Sequence, residues 1–147
     1  MKDSSNNVRV IYVNALNGNI SYNGINVPVY GQDPFKTLPK NYVIISSITE
    51  NAANTNNSFQ NIVNVDIDIF SEQYRVNDPA VIDNISGQIL NILIPNPGII
   101  GFSDSDFIVY PMARINSVYL PLQNGDNYVN RKIITINNKK KKLLRKL

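Results

Sequence analysis

Between Phe59 and Leu93 the chain carries two different periods back to back, and few folds accommodate both. In FQNIVNVDIDIF, Val63, Val65, Ile67 and Ile69 alternate with Asn64, Asp66 and Asp68. Successive strand side chains point to opposite faces, so strict alternation marks a strand with one buried face. After a turn the period changes to that of a helix. At 100° per residue, Val81, Ile82, Ile85, Ile89, Ile92 and Leu93 gather on roughly a third of the circumference. Asp83, Asn84, Gly87 and Asn91 lie opposite. Asn77 or Asp78 can cap this helix, Pro79 suits its first turn, and Pro95, Pro97 and Gly98 stop it. An apolar strand face followed by an apolar helix stripe predicts that the helix lies on the sheet. Six such side chains bury on the order of 10 kcal/mol gross, at about 1.5–3 kcal/mol each. Ordering entropy cancels most of it.

The flanking segments extend this unit. Residues 5–17 carry both signals. Val8, Ile11, Tyr12, Ala15 and Leu16 follow helical spacing, while VRVIYV is rich in β-branched residues. The spacing holds over three turns, with Ser4 or Ser5 as cap and Gly18 as stop, and favours a helix. Asn23-Gly24, between Ile20/Tyr22 and Ile25/Val27, predicts a two-residue hairpin, and Pro28 places its second arm at an edge or at the end of pairing. YVIISSIT, 42–49, reads as a strand covered on both faces. Residues 50–58 are polar and featureless, the mobile tip of a long hairpin. DFIVYPMARINSVYLPLQ, 106–123, is extended, and Pro111 and Pro121 mark it as bent or at an edge. Asn124-Gly125 centres a second hairpin turn, and 128–137 returns antiparallel. Ile134 and Ile136 share one face with Asn130 and Lys132; Val129, Arg131, Ile133 and Thr135 take the other. The whole predicts an α+β domain over 1–137, an antiparallel sheet with two long hairpins and two helices packed on one face, followed by a basic C-terminal tail, 138–147.

A chain of 147 residues, 43% hydrophobic, can bury a real core. No apolar run reaches the roughly 18 residues of a membrane span, and MKDSSNN lacks the apolar stretch of a secretory signal. Cysteine and histidine are absent, which removes disulfides, thiolate metal sites, the commonest zinc ligand and the commonest general base. The net charge is +3, yet Lys139, Lys140, Lys141, Lys142, Arg145 and Lys146 supply six cations. Without them the body is acidic, at −3. The basic character is therefore local.

Asp66 and Asp68 form a D-x-D on one face of a strand, a pair able to bind Mg²⁺ and support a small carboxylate nuclease. The alternation alone also demands polar residues there. Asp104 and Asp106 lack the spacing of a calcium loop, and no glycine-rich phosphate loop or G-x-S-x-G occurs. No catalytic residue, cofactor or metal ligand is singled out, and an enzyme is not expected. The lysine run could hold a phosphate backbone, touch an acidic partner, or only solubilise an end; no aromatic is interleaved for base stacking. Tyr119, Leu120 and Leu122 sit at a hairpin end, and Leu90 and Ile94 fall off the helix stripe, so all are candidate exposed apolar contacts.

The run YVNALNGNISYNGINVPVYGQDPFKTLPKNYVIISSITE, then NIVNVDIDIFSE, then NDPAVIDNISGQILNIL, resembles the tail-completion and tail-terminator proteins of tailed bacteriophages. It covers most of residues 8–94; 106–137 fit that family's closing hairpin more loosely, and the lysine-rich tail departs from its pattern. The resemblance implies a virion structural protein, assembled in the host cytoplasm, forming a six- or twelvefold ring at the neck. Its implied partners are copies of itself, the portal or connector and neighbouring tail proteins, with packaged DNA in the channel and no membrane. Asn54, Asn56 and Asn57 in the 50–58 tip, with Tyr119, Leu120 and Leu122, are the implied subunit contacts. The alternative reading is a small DNA-binding or Mg-dependent nuclease domain.

Overall fold

A computed structural model describes residues 4–32, 38–52, 60–95 and 99–142. Helical spacing prevails over β-branched content at the start: α1 spans Ser4–Leu16 and buries Val8, Ile11, Tyr12 and Leu16. Asn23 and Gly24 both take positive φ, 51° and 77°, the geometry of a type I′ turn. They join β1 (Ser21–Tyr22) to β2 (Ile25–Asn26), a separate two-stranded sheet. There follow β3 (Val29–Tyr30), β4 (Asn41–Ala52), β5 (Gln60–Tyr74) and α2 (Ala80–Leu93). β6 (Phe102–Ser103), β7 (Phe107–Asn124) and β8 (Asn127–Lys142) end the described chain.

The fold is α+β. Six strands form one sheet in the order β3-β4-β5-β8-β7-β6. β8 inserts between β5 and β7, pairing with β5 from Gln60↔Lys141 to Tyr74↔Asn127 without a register shift. The odd-numbered face of β5, Val63 to Ile69, is fully buried. It shares one core with the stripes of both helices, with Val43 and Ile45 of β4, and with Ile134 and Ile136 of β8. α1 touches β3 and β4 near one margin of the sheet and β6 and β7 near the other, so the sheet curls around it. The Tyr12 hydroxyl donates to Asn138 Oδ1, and Asn138 Nδ2 donates to the carbonyls of Val63 (3.1 Å) and Ile136 (2.9 Å). Burial pushes the Tyr12 phenol above its ordinary pKa, against a smaller lowering by the Asn138 bond, so it remains a donor. At α2, the Ala80 N–H donates to Asp78 Oδ1 at 3.0 Å.

Several expectations are corrected. The sheet is mixed, because β3 lies parallel to β4 (Val29↔Val43). β4 is fully covered on one face only: Val43 and Ile45 are buried, Tyr42 and Ile44 half-buried. A register shift between Ile45 and Ser47 inserts one residue and returns Ile48 to the core side. Leu90 and Ile94 are half-buried against the core rather than exposed, Ile92 of the stripe is only half-buried, and Ser86 joins the buried stripe. Asn124 pairs with Asn127, so the second turn centres on Gly125-Asp126, with Gly125 at φ +61. The strand read as ending at 137 runs on to Lys142, so five residues of the expected tail belong to the sheet. The 53–59 tip and residues 143–147 lie outside the described residues.

Ile67 has no solvent exposure and sits mid-strand between Ile45 and Ile134. Ile67→Ala is expected to lower unfolding free energy by about 2–5 kcal/mol in urea titration. Val10→Ala, on the exposed side of α1, is expected to change it by less than about 0.5 kcal/mol.

Candidate interaction surfaces

The even-numbered side chains of β5 face away from the helices, and cross-strand register assembles them into rows with their neighbours. One row is Tyr42, Phe70, Arg131 and Leu120; the next is Ile44, Asp68, Ile133 and Val118. A third joins Glu72, Val129 and Leu122. Tyr42 and Phe70 stack with centroids 4.8 Å apart, and the Arg131 guanidinium lies 5.4 Å from the Phe70 ring. This end of the outer face is therefore apolar and aromatic. The middle is polar: Ser47, Asp66, Thr135 and Asn116, then Thr49, Asn64, Asn137 and Ala113. The far end carries Ile62, Lys139 and Tyr110, then Lys141 and Ile108.

The D-x-D carboxylates are engaged. Asp66 Oδ2 accepts from the Ser47 hydroxyl and Oδ1 from that of Thr135, both at 2.6 Å. Asp68 is buried and its Oδ2 takes Arg131 Nη2 at 2.9 Å. Among the described residues its Oδ1 has no hydrogen-bond partner, nor has Arg131 Nε. Asp104 Oδ1 accepts from the N–H groups of Asp106 and Phe107, both at 2.8 Å, which holds the turn into β7. Among the described residues, no group of three or more His, Cys, Asp or Glu could hold a metal ion. No helix among them is long and apolar enough to cross a membrane.

β7 presents an open edge. β6 covers it only at Ile108 and Val109, and no described strand lies beyond it from Tyr110 to Asn124. Register shifts at Pro111/Ala113 and Arg114/Asn116 insert Met112 and Ile115 as bulges. Met112, Ile115, Val118, Tyr119, Leu120 and Leu122 are 38–63% exposed. Val118, Leu120 and Leu122 belong to the outer face. Tyr119, on the helix side, donates its hydroxyl to Asn130 Oδ1 at 2.8 Å, and Asn130 Nδ2 donates to Asn77. The apolar strip thus emerges on both sides of the sheet beside unpaired backbone. The other margin is similar in outline: β3 pairs with β4 only at Val43 and Ile44.

The lysine run is split by strand parity. Lys139 and Lys141 lie on the outer face and Lys142 is exposed at the strand's end. Lys140 turns inward. Its Nζ meets Glu50 Oε1 at 2.6 Å and lies 4.5 Å from the centre of the Phe107 ring, and its side chain is 3% exposed. Glu50 also accepts from Asn61 Nδ2 at 2.7 Å. Lys140 is thus a structural cation rather than a partner contact, a correction to its reading as part of a free tail. Arg145, Lys146, Asn54, Asn56 and Asn57 lie outside the described residues. Glu50 and Phe107 escaped the sequence reading, since neither has local patterning to connect it with a lysine so far along the chain.

Removing one partner of a buried ion pair strands the other. Lys140→Ala is expected to cost about 3 kcal/mol, and Lys141→Ala less than about 0.5 kcal/mol, by urea titration of both variants. Among known proteins, no family model and no curated sequence matches the chain.

Proposed function

We propose that the chain is a structural subunit that assembles with copies of itself through β7, as a ring-forming protein of the phage neck. One observation carries this reading: six large apolar side chains between Met112 and Leu122 stand exposed on both sides of a strand whose outer edge is open. Solitary soluble domains rarely leave so much contiguous apolar surface uncovered. A neighbouring copy can cover both faces of the strip and satisfy edge N–H and C=O groups at once. The bulges and Pro121 limit how far a strand can zip along this edge, which favours one defined contact over open-ended stacking. The open stretch of β4 on the opposite margin offers a different surface, and a contact between unlike surfaces repeats around a closed ring. The place at the neck, the six- or twelvefold count and the contacts with portal, connector and tail proteins rest on the resemblance of residues 8–94. The nuclease alternative is weakened because Ser47, Thr135 and Arg131 occupy three of the four Asp66 and Asp68 carboxylate oxygens.

Sedimentation of the full chain over rising concentration tests the assembly. Oligomers are expected for the parent protein. Leu120→Glu with Leu122→Glu is expected to shift the population to monomer with an unchanged melting curve, because both side chains are already exposed. A parent protein that stays monomeric at every concentration, and is absent by mass spectrometry from purified particles, would sink the reading.

A further inference from the structure

A run of four lysines reads as uniform charge, but a strand sorts it. The buried Lys140–Glu50 pair fixes which way its neighbours point. Lys139 and Lys141 therefore share the outer face, about 6.6 Å apart along the strand at about 3.3 Å per residue. Register places Tyr110 directly across from Lys139 and Ile108 across from Lys141. With Ile99 and Met112, the two lysines and Tyr110 line an open hollow of about 390 Å³. Gly101 lets the backbone lie close against its wall. A Cβ there would come within 2.7 Å of Ile108 Cδ1 and 2.8 Å of Tyr110 Cε1. Among the described residues, neither lysine forms an ion pair, whereas Lys132 and Lys140 both do.

We propose that this hollow holds the phosphodiester backbone of a nucleic acid. Lys139 and Lys141 neutralise neighbouring phosphates, and the Tyr110 ring beside them offers a face to a base. Two unpaired cations at a regular interval suit a repeating anion. An aromatic ring next to them suits a ligand with planar groups, which an acidic peptide need not have. The ring is supplied across the sheet by β7, so the lysine segment itself contains no aromatic. The site shares Met112 with the exposed apolar strip of β7, but its two lysines are separated from Val118–Leu122 by the polar rows of Asp66 and Asn64. It does not depend on the assembly reading, and DNA titration and sedimentation fail separately.

The test is fluorescence anisotropy with the full chain, a labelled single strand of about 20 nucleotides and a duplex of the same length, at about 50 and 200 mM salt. Lys139→Gln with Lys141→Gln is expected to weaken binding about tenfold or more at the lower salt. It is also expected to flatten the log–log salt dependence by about 1.4 for the single strand or 1.8 for the duplex. Lys142→Gln, which removes an exposed charge of the opposite parity, is expected to have much less effect. Tyr110→Ala separates the two sources: loss confined to the single strand assigns the site to unstacked strands, and loss for neither assigns it to the duplex backbone. A parent protein that binds neither DNA, a double variant that binds as the parent does, an equal loss from Lys142→Gln, or polyglutamate competing as well as DNA would each overturn the proposal. Both lysines are exposed, so a melting curve matching the parent's accompanies a valid reading.

Discussion

The pairing of β5 with β8 is the constraint on which the rest of the structure depends. It runs the full length of β5 without a register shift, whereas β4 and β7 both absorb bulges. A slip of one residue would rotate Asp66 and Asp68 into the core and Ile67 and Ile69 out of it, so the register is strongly specified. Once it is set, Ile134 and Ile136 stand beside Ile67 and Val65, and the two helices have one apolar floor. The irregularities then fall on the flanking strands, where a bulge can re-aim side chains without disturbing that floor.

The same parity gives the outer face its character. It is a surface in zones, apolar and aromatic at one end, hydroxyl- and amide-rich in the middle, basic at the other. The Asp68–Arg131 pair lies within the first zone, with the Arg131 guanidinium over Phe70 and one carboxylate oxygen unmatched. Removing charges from water costs more than their attraction returns unless further hydrogen bonds complete the pair. A neighbour that covered this zone would take over ordering groups the lone chain leaves incomplete.

Period and turn chemistry made much of the framework legible. The alternation of β5, the stripe of α2 and the Asn23-Gly24 turn are each written within a few residues, and each formed where its pattern placed it. Even the doubtful first helix followed its spacing. What escaped was everything decided between distant segments. Nothing local in Val29–Tyr30 announces a parallel partner, because a two-residue strand carries no pattern that distinguishes the two directions. The lysine run lacks apolar alternation and so reads as a tail. It is strand because β5 and β7 hold it from both sides, and because Glu50 and Phe107 accept the one side chain that points inward. The candidate contacts divided the same way. Leu120 and Leu122 stand where an apolar hairpin end suggested, while Leu90 and Ile94 found core neighbours that helix geometry alone could not supply.

The bond from the Tyr12 hydroxyl to Asn138 has a consequence for how the molecule is made. Its two residues stand 126 positions apart, and α1 rests on β3 and β4 near one margin of the sheet and on β6 and β7 near the other. During synthesis the seat of the first helix is therefore completed only after β8 has emerged and slotted in beside β5. A short amphipathic helix alone in water is marginal, and closure over so long a loop is slow to be rewarded. The apolar stripe of α1 therefore waits for β8 before its buried polar anchor, the bond to Asn138, can form.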